Sequence, residues 1–335
     1  MPLPSKPLDP ELLYLFVLGP GTGETVLLRV PPDDWVIIDS YLNADRPAAE
    51  AIVDEFGGTV SIIVLTHPHQ DHYKGFIELI DENPNAVIGC VHPKHGTEGI
   101  GVPTDPIALL NQQAKPTYDR IWDEWKADER RKWQTFRHET QQVGDGTLTS
   151  LHPVKPLGAA AWHGAARNDM SSGMRFEWHD VVLLLGADVT NASWPEIAGE
   201  FADLAEHHAL KVPHHASREA IHETYGKGDR GRIWIVTPFA SQKLPRCSDG
   251  DGLAMALQFV DTVHLTSLPY SHDCEGESPC TTTRSEIDAD TRPISSGPVT
   301  SDTDLRVERY VAIAFDKKGQ LQERWNGAGT LEVTE

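Results

Sequence analysis

Six consecutive residues, His67-Pro68-His69-Gln70-Asp71-His72, put three imidazoles and a carboxylate directly after an apolar, β-branched run, residues 61–66. Imidazole nitrogen with carboxylate oxygen is a donor set suited to zinc, iron or manganese. In an extended loop His67 and His69 point the same way and can bind one ion. Asp71 and His72 then turn toward a neighbouring position and can bind a second. The bland alternative is a solvated polar loop with chance histidines. Two further segments have the same placement after apolar runs. Asp188 follows Val181-Val182-Leu183-Leu184-Leu185, where a buried or capping aspartate is the plain reading, and His214-His215 follows Leu210-Lys211-Val212. Adjacent side chains diverge, so the two histidines are not expected on one ion. His214 is assigned to the second metal and His215 to the substrate or transition state, with the reverse left open.

These groups need strands to carry them to one edge. Residues 11–40 read as two or three strands separated by glycine and proline turns and ending in Asp39. Residues 48–57 read as a helix closed by glycine, 61–66 as a strand buried on both faces, and 75–83 as a helix before a strand at 85–92. Residues 147–154 and 174–188 read as further strands, and 195–209 as a helix. The stretches 209–215 and 232–238 each read as strand followed by loop, and 310–325 as a hairpin. Strands alternating with helices predict a layered α/β fold as one domain over 1–335. Residues 96–147, charged and carrying Trp122, Trp125 and Trp133, read as a helical insertion whose tryptophans pack. Residues 271–304, rich in Ser, Thr, Asp and Pro, read as a mobile loop.

The chain has 335 residues, 39% of them hydrophobic, which suffices for a large core. Its 29 basic and 50 acidic residues give a net charge of −21, which argues against a broad grip on duplex nucleic acid. Cys90, Cys247, Cys274 and Cys280 are too few for a disulfide scaffold, although Cys274 and Cys280 lie in one polar loop. The first residues lack the pattern of a secretory leader, and no apolar run is long enough to span a bilayer. A soluble, cytoplasmic protein without a membrane partner is expected.

The segment Thr66-His67-Pro68-His69-Gln70-Asp71-His72 resembles the HxHxDH signature of the metallo-β-lactamase superfamily. Gly21, Gly23 and Asp39, Asn168-Asp169-Met170-Ser171, Gly186-Ala187-Asp188 and Lys211-Val212-Pro213-His214-His215-Ala216-Ser217 are similar, in that order, to motifs of the branch that includes the hydrolase domain of the ComEC DNA-uptake protein. Together these cover roughly residues 12–240. The resemblance implies an αββα four-layer sandwich and two divalent cations, zinc first and manganese second, bridged by Asp188. The usual third histidine of the first site has no evident equivalent, and its place in chain order falls at Asn168 or Asp169. Ala216 stands where that branch has glycine, which matters if the position needs positive φ.

The same resemblance implies a phosphodiesterase acting on a nucleic acid or nucleotide. Two cations about 3.5–4 Å apart lower the pKa of a bridging water, so that hydroxide attacks, with Asp71 and Asp188 orienting it and His215 donating to the group attacked. The alternatives are a hydrolase of a small ester, lactone or amide, and a catalytically silent metal-binding partner protein. His92 and His95 are cleft candidates or surface groups. His152, His179, His207 and His208 read as structural. Lys243 and Arg246 can hold a substrate anion or sit in a solvated loop. The 96–147 insertion is a candidate lid or protein-partner surface.

Overall fold

The computed structural model of the chain describes residues 7–43, 45–94, 112–153, 168, 170–246, 252–267, 309–327 and 330–334. Three strands open it: β1 (Leu13–Leu18), β2 (Thr25–Val30) and β3 (Asp34–Ile38). A short ribbon follows, β4 (Leu42–Asn43) and β5 (Arg46–Pro47), and then α1 (Ala48–Phe56) and β6 (Thr59–Leu65). Next come α2 (Gln70–Tyr73), α3 (Phe76–Glu82), β7 (Val87–Cys90), α4 (Lys115–Ala127) and β8 (Lys132–Gln134). The second half runs β9 (Thr140–Val143), β10 (Gly146–Ser150), β11 (Met174–Trp178), β12 (Val181–Leu185) and α5 (Trp194–Glu200). It continues β13 (Ala209–Lys211), α6 (Glu223–Gly226), β14 (Ile233–Val236), α7 (Gly252–Ala256) and β15 (Thr262–Leu265). The chain then returns through β16 (Tyr310–Phe315) and β17 (Leu321–Asn326) before β18 (Leu331–Thr334).

The strands form two large sheets, ordered β17-β16-β1-β2-β3-β6-β7-β8 and β18-β15-β14-β13-β12-β11-β10-β9. Strand side chains alternate between faces, and here both faces are apolar. Leu13, Leu15 and Val17 of β1 point into the core between the sheets, where they meet Phe176, Leu183 and Ile235. Tyr14, Phe16 and Leu18 of the same strand point the other way, into a core with Ile52 of α1, Leu79 of α3 and Ile121 of α4. On the far side of the second sheet Leu184, Leu210 and Trp234 pack on Trp194, Tyr225 and Leu253, which lie on α5, α6 and α7. Three cores between four layers make the αββα sandwich.

The topology sets where the site falls. β3 and β6 are parallel neighbours in the first sheet. β12, β13 and β14 are parallel neighbours in the second. Parallel strands end on one edge, so the loops after Ile38, Leu65, Leu185, Lys211 and Val236 emerge together, where open α/β sheets bind ligands.

The 96–147 segment is not a continuous helical insertion. Residues 95–111 lie outside the described ones, α4 accounts for the helical part, and β8 and β9 are edge strands of the two sheets. Of the charged run Glu129-Arg130-Arg131-Lys132, the first three residues form a 3₁₀ turn and Lys132 opens β8. Trp133 packs between the sheets, and the Trp125 indole nitrogen donates to the Ile88 carbonyl at 3.0 Å. The expected helix 195–209 stops at Glu200 and resumes only as a 3₁₀ turn at Leu204–Glu206. The loop expected at 271–304, and His95, Asp169, Cys247, Cys274 and Cys280, fall outside the described residues. No helix among the described residues is long and apolar enough to cross a membrane.

Candidate metal centre

Asp188 sits at the middle of the strand-end cluster, 2% exposed, with its amide held by the Ser171 hydroxyl at 2.8 Å. Its Oδ2 lies 3.3 Å from His67 Nε2 and 3.9 Å from His69 Nδ1. Its Oδ1 lies 3.7 Å from His72 Nε2 and 3.9 Å from His215 Nε2. One carboxylate therefore faces two separate imidazole pairs, one per oxygen. Asp71 joins the second pair: its Oδ2 is 3.1 Å from His215 Nε2 and 3.5 Å from His72 Nε2.

The imidazoles are oriented from behind. His72 Nδ1 donates to Asp39 Oδ2 at 2.7 Å, and His215 Nδ1 donates to the Thr237 carbonyl at 2.8 Å. The Thr66 hydroxyl also donates to Asp39 Oδ2, at 2.7 Å, so its oxygen is left to accept from His67 Nδ1 at 3.0 Å. All three rings thereby carry a proton on Nδ1 and turn Nε2 toward Asp71 and Asp188, where a cation would take the place of a second proton. Asp39, with φ of 60°, closes this network by accepting the Thr66 amide as well, at 2.8 Å.

Sequence reasoning placed His214 with the second set and His215 toward the substrate. In the structure His215 lies against Asp71 in the second set, and His214 lies on the side of the first. His214, His215 and Ala216 are three successive residues with φ of 45°, 53° and 55°. This left-handed turn drives the His215 ring inward, where it stacks on Phe239 with centroids 4.9 Å apart. His214 is turned to the rim, 4.0 Å from Asp188 Oδ2 on the side of His67 and His69. Its Nδ1 meets the Ser217 hydroxyl at 3.0 Å and its Nε2 meets Asn168 Nδ2 at 3.3 Å. The Asn168 side chain thus borders the first set through His214.

The electrostatics are those of an acid-rich pocket. Burial opposes ionisation of Asp71, yet attraction to His72 and the hydrogen bond from His215 hold its carboxyl well below the usual range. Burial acts on Asp188 in the same sense, and His72 and His67 outweigh it, so this carboxyl too is held low. Burial pushes His67 down, with the neighbouring His72 charge adding to it. Burial also lowers His214.

The donor set fits cations. His67 Nε2 and His69 Nδ1 face each other at 2.9 Å, a separation that calls for a proton or a cation between two nitrogens. His72 Nε2 and Asp188 Oδ1 are buried with no hydrogen-bond partner, although buried polar atoms rarely stay unsatisfied. Glu24, Asp39, Asp71 and Asp188 are buried together, with the Lys211 ammonium beside Glu24. That excess of negative charge in a low dielectric is what divalent cations would neutralise. Among the described residues two triads have metal-ligand composition: His67, His69 and Asp188, and Glu24, His72 and His215. The second is not a ligand set as it stands, because the nitrogens nearest Glu24 are the Nδ1 atoms that already donate to Asp39 and Thr237.

Residues 18–161 match the model of the metallo-beta-lactamase superfamily. This stretch, under half of the chain, is similar to a domain of that superfamily. Most of its members are metal-dependent hydrolases, and its fold binds divalent metals, commonly two. No curated protein matches this chain. Among solved structures, it is similar to a diiron β-hydroxylase from Streptomyces venezuelae, CmlA, at 13% identity and a TM-score of 0.36, over 65% of this chain and 36% of that one. A metallo-β-lactamase from Cronobacter sakazakii with an HARLDQ motif matches at 15% identity and a TM-score of 0.34, over 61% of this chain and 77% of that one. A diphosphatase of the PhnP family matches at 12% identity and a TM-score of 0.33, over 60% of this chain and 73% of that one.

The remaining sequence candidates separate cleanly. His92 is buried against Trp122, with centroids 5.0 Å apart, and its Nε2 donates to the Tyr118 carbonyl. His152 bonds the Ser171 carbonyl and Ser193, and His207 bonds the Leu204 carbonyl and the Trp234 indole. His208 Nδ1 accepts the Val182 amide, and His179 packs edge-on against Trp178. Lys243 is exposed on the loop after Phe239, with φ of 55°. Sequence reasoning missed Glu24, Thr66, Ser171 and Thr237 as positioning groups, because each acts through contacts made only by the folded chain.

Proposed function

We propose that the protein is a dinuclear metal-dependent hydrolase of phosphodiesters, acting on a nucleotide or a short nucleic acid. One observation carries the dinuclear reading: Asp188 turns Oδ2 to His67 and His69 and Oδ1 to His72 and His215. His67, His69 and Asp188 would hold the first cation, with His214 and Asn168 on its open side. Asp71, His72, His215 and Asp188 would hold the second. When bound, such a pair supplies Lewis acidity and a water acidic enough to attack at neutral pH.

The chain's own residues set the conditions for that chemistry. Asp39, Thr66 and Thr237 keep the imidazoles in the tautomer that leaves Nε2 free. Asp71 and Asp188 present carboxylate oxygens to the attacking water and fix its direction. His214 lies at the rim, where it can donate to or accept from a substrate oxygen. The choice of phosphodiester rests on the similarity of Asn168 to Ser171, Gly186 to Asp188 and Lys211 to Ser217 to the ComEC-type motifs. The net charge of −21 favours a small anionic substrate over a long duplex.

The test is turnover by protein loaded with zinc or manganese. Hydrolysis of bis(p-nitrophenyl) phosphate, with nitrocefin and a simple lactone left intact, is the expected result. Hydrolysis of nitrocefin or the lactone alone would move the substrate to the carbonyl class. Bound metal with no turnover of any of the three would contradict the enzyme reading.

A further inference from the structure

Glu24 lies immediately before β2 of the first sheet, and Lys211 ends β13 in the second. Their side chains are 2% and 1% exposed, and Lys211 Nζ is 2.6 Å from Glu24 Oε1. The other oxygen, Oε2, accepts the Thr237 hydroxyl at 2.5 Å. Lys211 Nζ also donates to the Ala187 carbonyl at 3.2 Å, one residue before Asp188. Gly23 makes the approach of Glu24 feasible. A Cβ on Gly23 would lie 2.5 Å from the Tyr41 Cβ and 3.1 Å from the Asp71 carbonyl, to which the Glu24 amide donates at 3.0 Å.

A buried ion pair is weak evidence for stability, since each charge costs several kcal/mol to desolvate. This pair is instead placed where it can act on the site. Glu24 Oε2 is 3.5 Å from His215 Nδ1, and Oε1 is 3.8 Å from His72 Nδ1. Those nitrogens carry protons donated elsewhere, so Glu24 has no lone pair to compete with or to share a cation with on that side. It has a negative charge directly behind two N–H groups whose opposite nitrogens face Asp71.

We infer that Glu24 and Lys211 form a cross-sheet positioning pair for the second cation, acting through His72 and His215 and not as ligands; this rests on the two-cation reading above. The negative charge raises the basicity of both Nε2 lone pairs, as carboxylates behind metal-bound histidines do. Lys211 holds that charge in place. It also ties the loop of Asp188 to the loop of Asp71, so that ligands from two sheets keep one spacing.

The test titrates the metal-stripped full-length chain with Co²⁺, following the visible absorption bands and the heat of each binding event. Wild type shows two events. Glu24→Gln and Lys211→Met are each expected to weaken one event by roughly 10–100-fold while the other stays within about threefold. Thr237→Val removes the hydroxyl that holds Glu24, which also lies 3.3 Å from His215 Nδ1, and keeps the carbonyl that holds His215 at 2.8 Å. It is expected to weaken the same event by about tenfold, and it decides the case if the charge variants fail to fold. The double variant Glu24→Gln with Lys211→Met is expected to bind no worse than the poorer single variant, because no charge is left unpaired. Folded variants that bind both ions with wild-type affinity would overturn the inference. So would loss of one Co²⁺ in Glu24→Gln alone with Lys211→Met and Thr237→Val unchanged, since that marks a ligand. A wild type that binds fewer than two ions would overturn the two-cation reading as well, which separates the two failures.

Discussion

His215 Nε2 lies 3.1 Å from Asp71 Oδ2, joining residues 144 positions apart in the chain. The neighbouring His214 makes no such contact and lies 4.0 Å from the opposite oxygen of Asp188. The left-handed turn at 214–216 separates two identical side chains into two environments.

The first prediction follows from that separation. His215→Ala should lower occupancy of the second cation and reduce turnover together, because one lost imidazole leaves an open, weakly held ion. His214→Ala should keep the second cation at wild-type affinity. Metal content and kcat measured on both variants check this. Loss of the second cation in His214→Ala with retention in His215→Ala would restore the sequence assignment.

Asp39 and Thr66 make separable predictions. Asp39→Asn takes the acceptor from His72 and, through Thr66, from His67, so both cations should bind more weakly, by roughly 10–100-fold for the second. Thr66→Val removes the group that accepts from His67 and should weaken the first cation only. Calorimetric titration separates the two events. Equal weakening of both in Thr66→Val would show that the tautomer chain from Asp39 to His67 is not what matters.

Much of this centre was legible in the sequence for a local reason. His67, His69, Asp71 and His72 sit within six residues after one buried strand, and Asp188 follows another, so the strand pattern alone sends them to one edge. The 214–215 pair was not resolvable, because which of two adjacent side chains points inward depends on a backbone turn that neither residue type announces. Glu24 and Thr237 were invisible for a different reason, and so was the role of Ser171 within its motif: their partners come from distant segments. The layered α/β architecture was readable from doubly apolar strands such as β1 and β12. β8 and β9 were not, since a short edge strand with charged neighbours carries no alternating signal.

Ala216 stands in the left-handed region with φ of 55° and is fully buried. Relief of left-handed strain and the added freedom of the unfolded chain nearly offset each other for Ala216→Gly, which should change stability by less than about 1 kcal/mol. Ala216→Val adds β-branched strain and crowding, and should cost about 2 kcal/mol or more. Denaturant midpoints for the two variants test this. Equal stability of the valine variant and wild type would show that the turn relaxes at little cost.

His207 supplies a pH prediction away from the metal centre. Burial lowers its pKa to about 3, from an ordinary value of 6.5, and its two nitrogens are committed to the Leu204 carbonyl and the Trp234 indole. A group depressed in the folded state leaves the unfolded chain binding the extra proton between those two values. Its contribution is therefore full above about pH 6.5 and lost as pH falls toward 3, on the order of 5 kcal/mol in all. His207→Gln, which cannot titrate, should flatten the dependence of stability on pH by up to one proton across that window. An unchanged slope would contradict the buried neutral imidazole.

The central claim is tested most directly by anomalous diffraction at the metal edges from crystals of the loaded protein. The account predicts two ions about 3.5–4 Å apart, one among His67, His69 and Asp188, the other among Asp71, His72, His215 and Asp188. A single ion, or an ion on the Nδ1 side of His72 and His215 coordinated by Glu24, would contradict it.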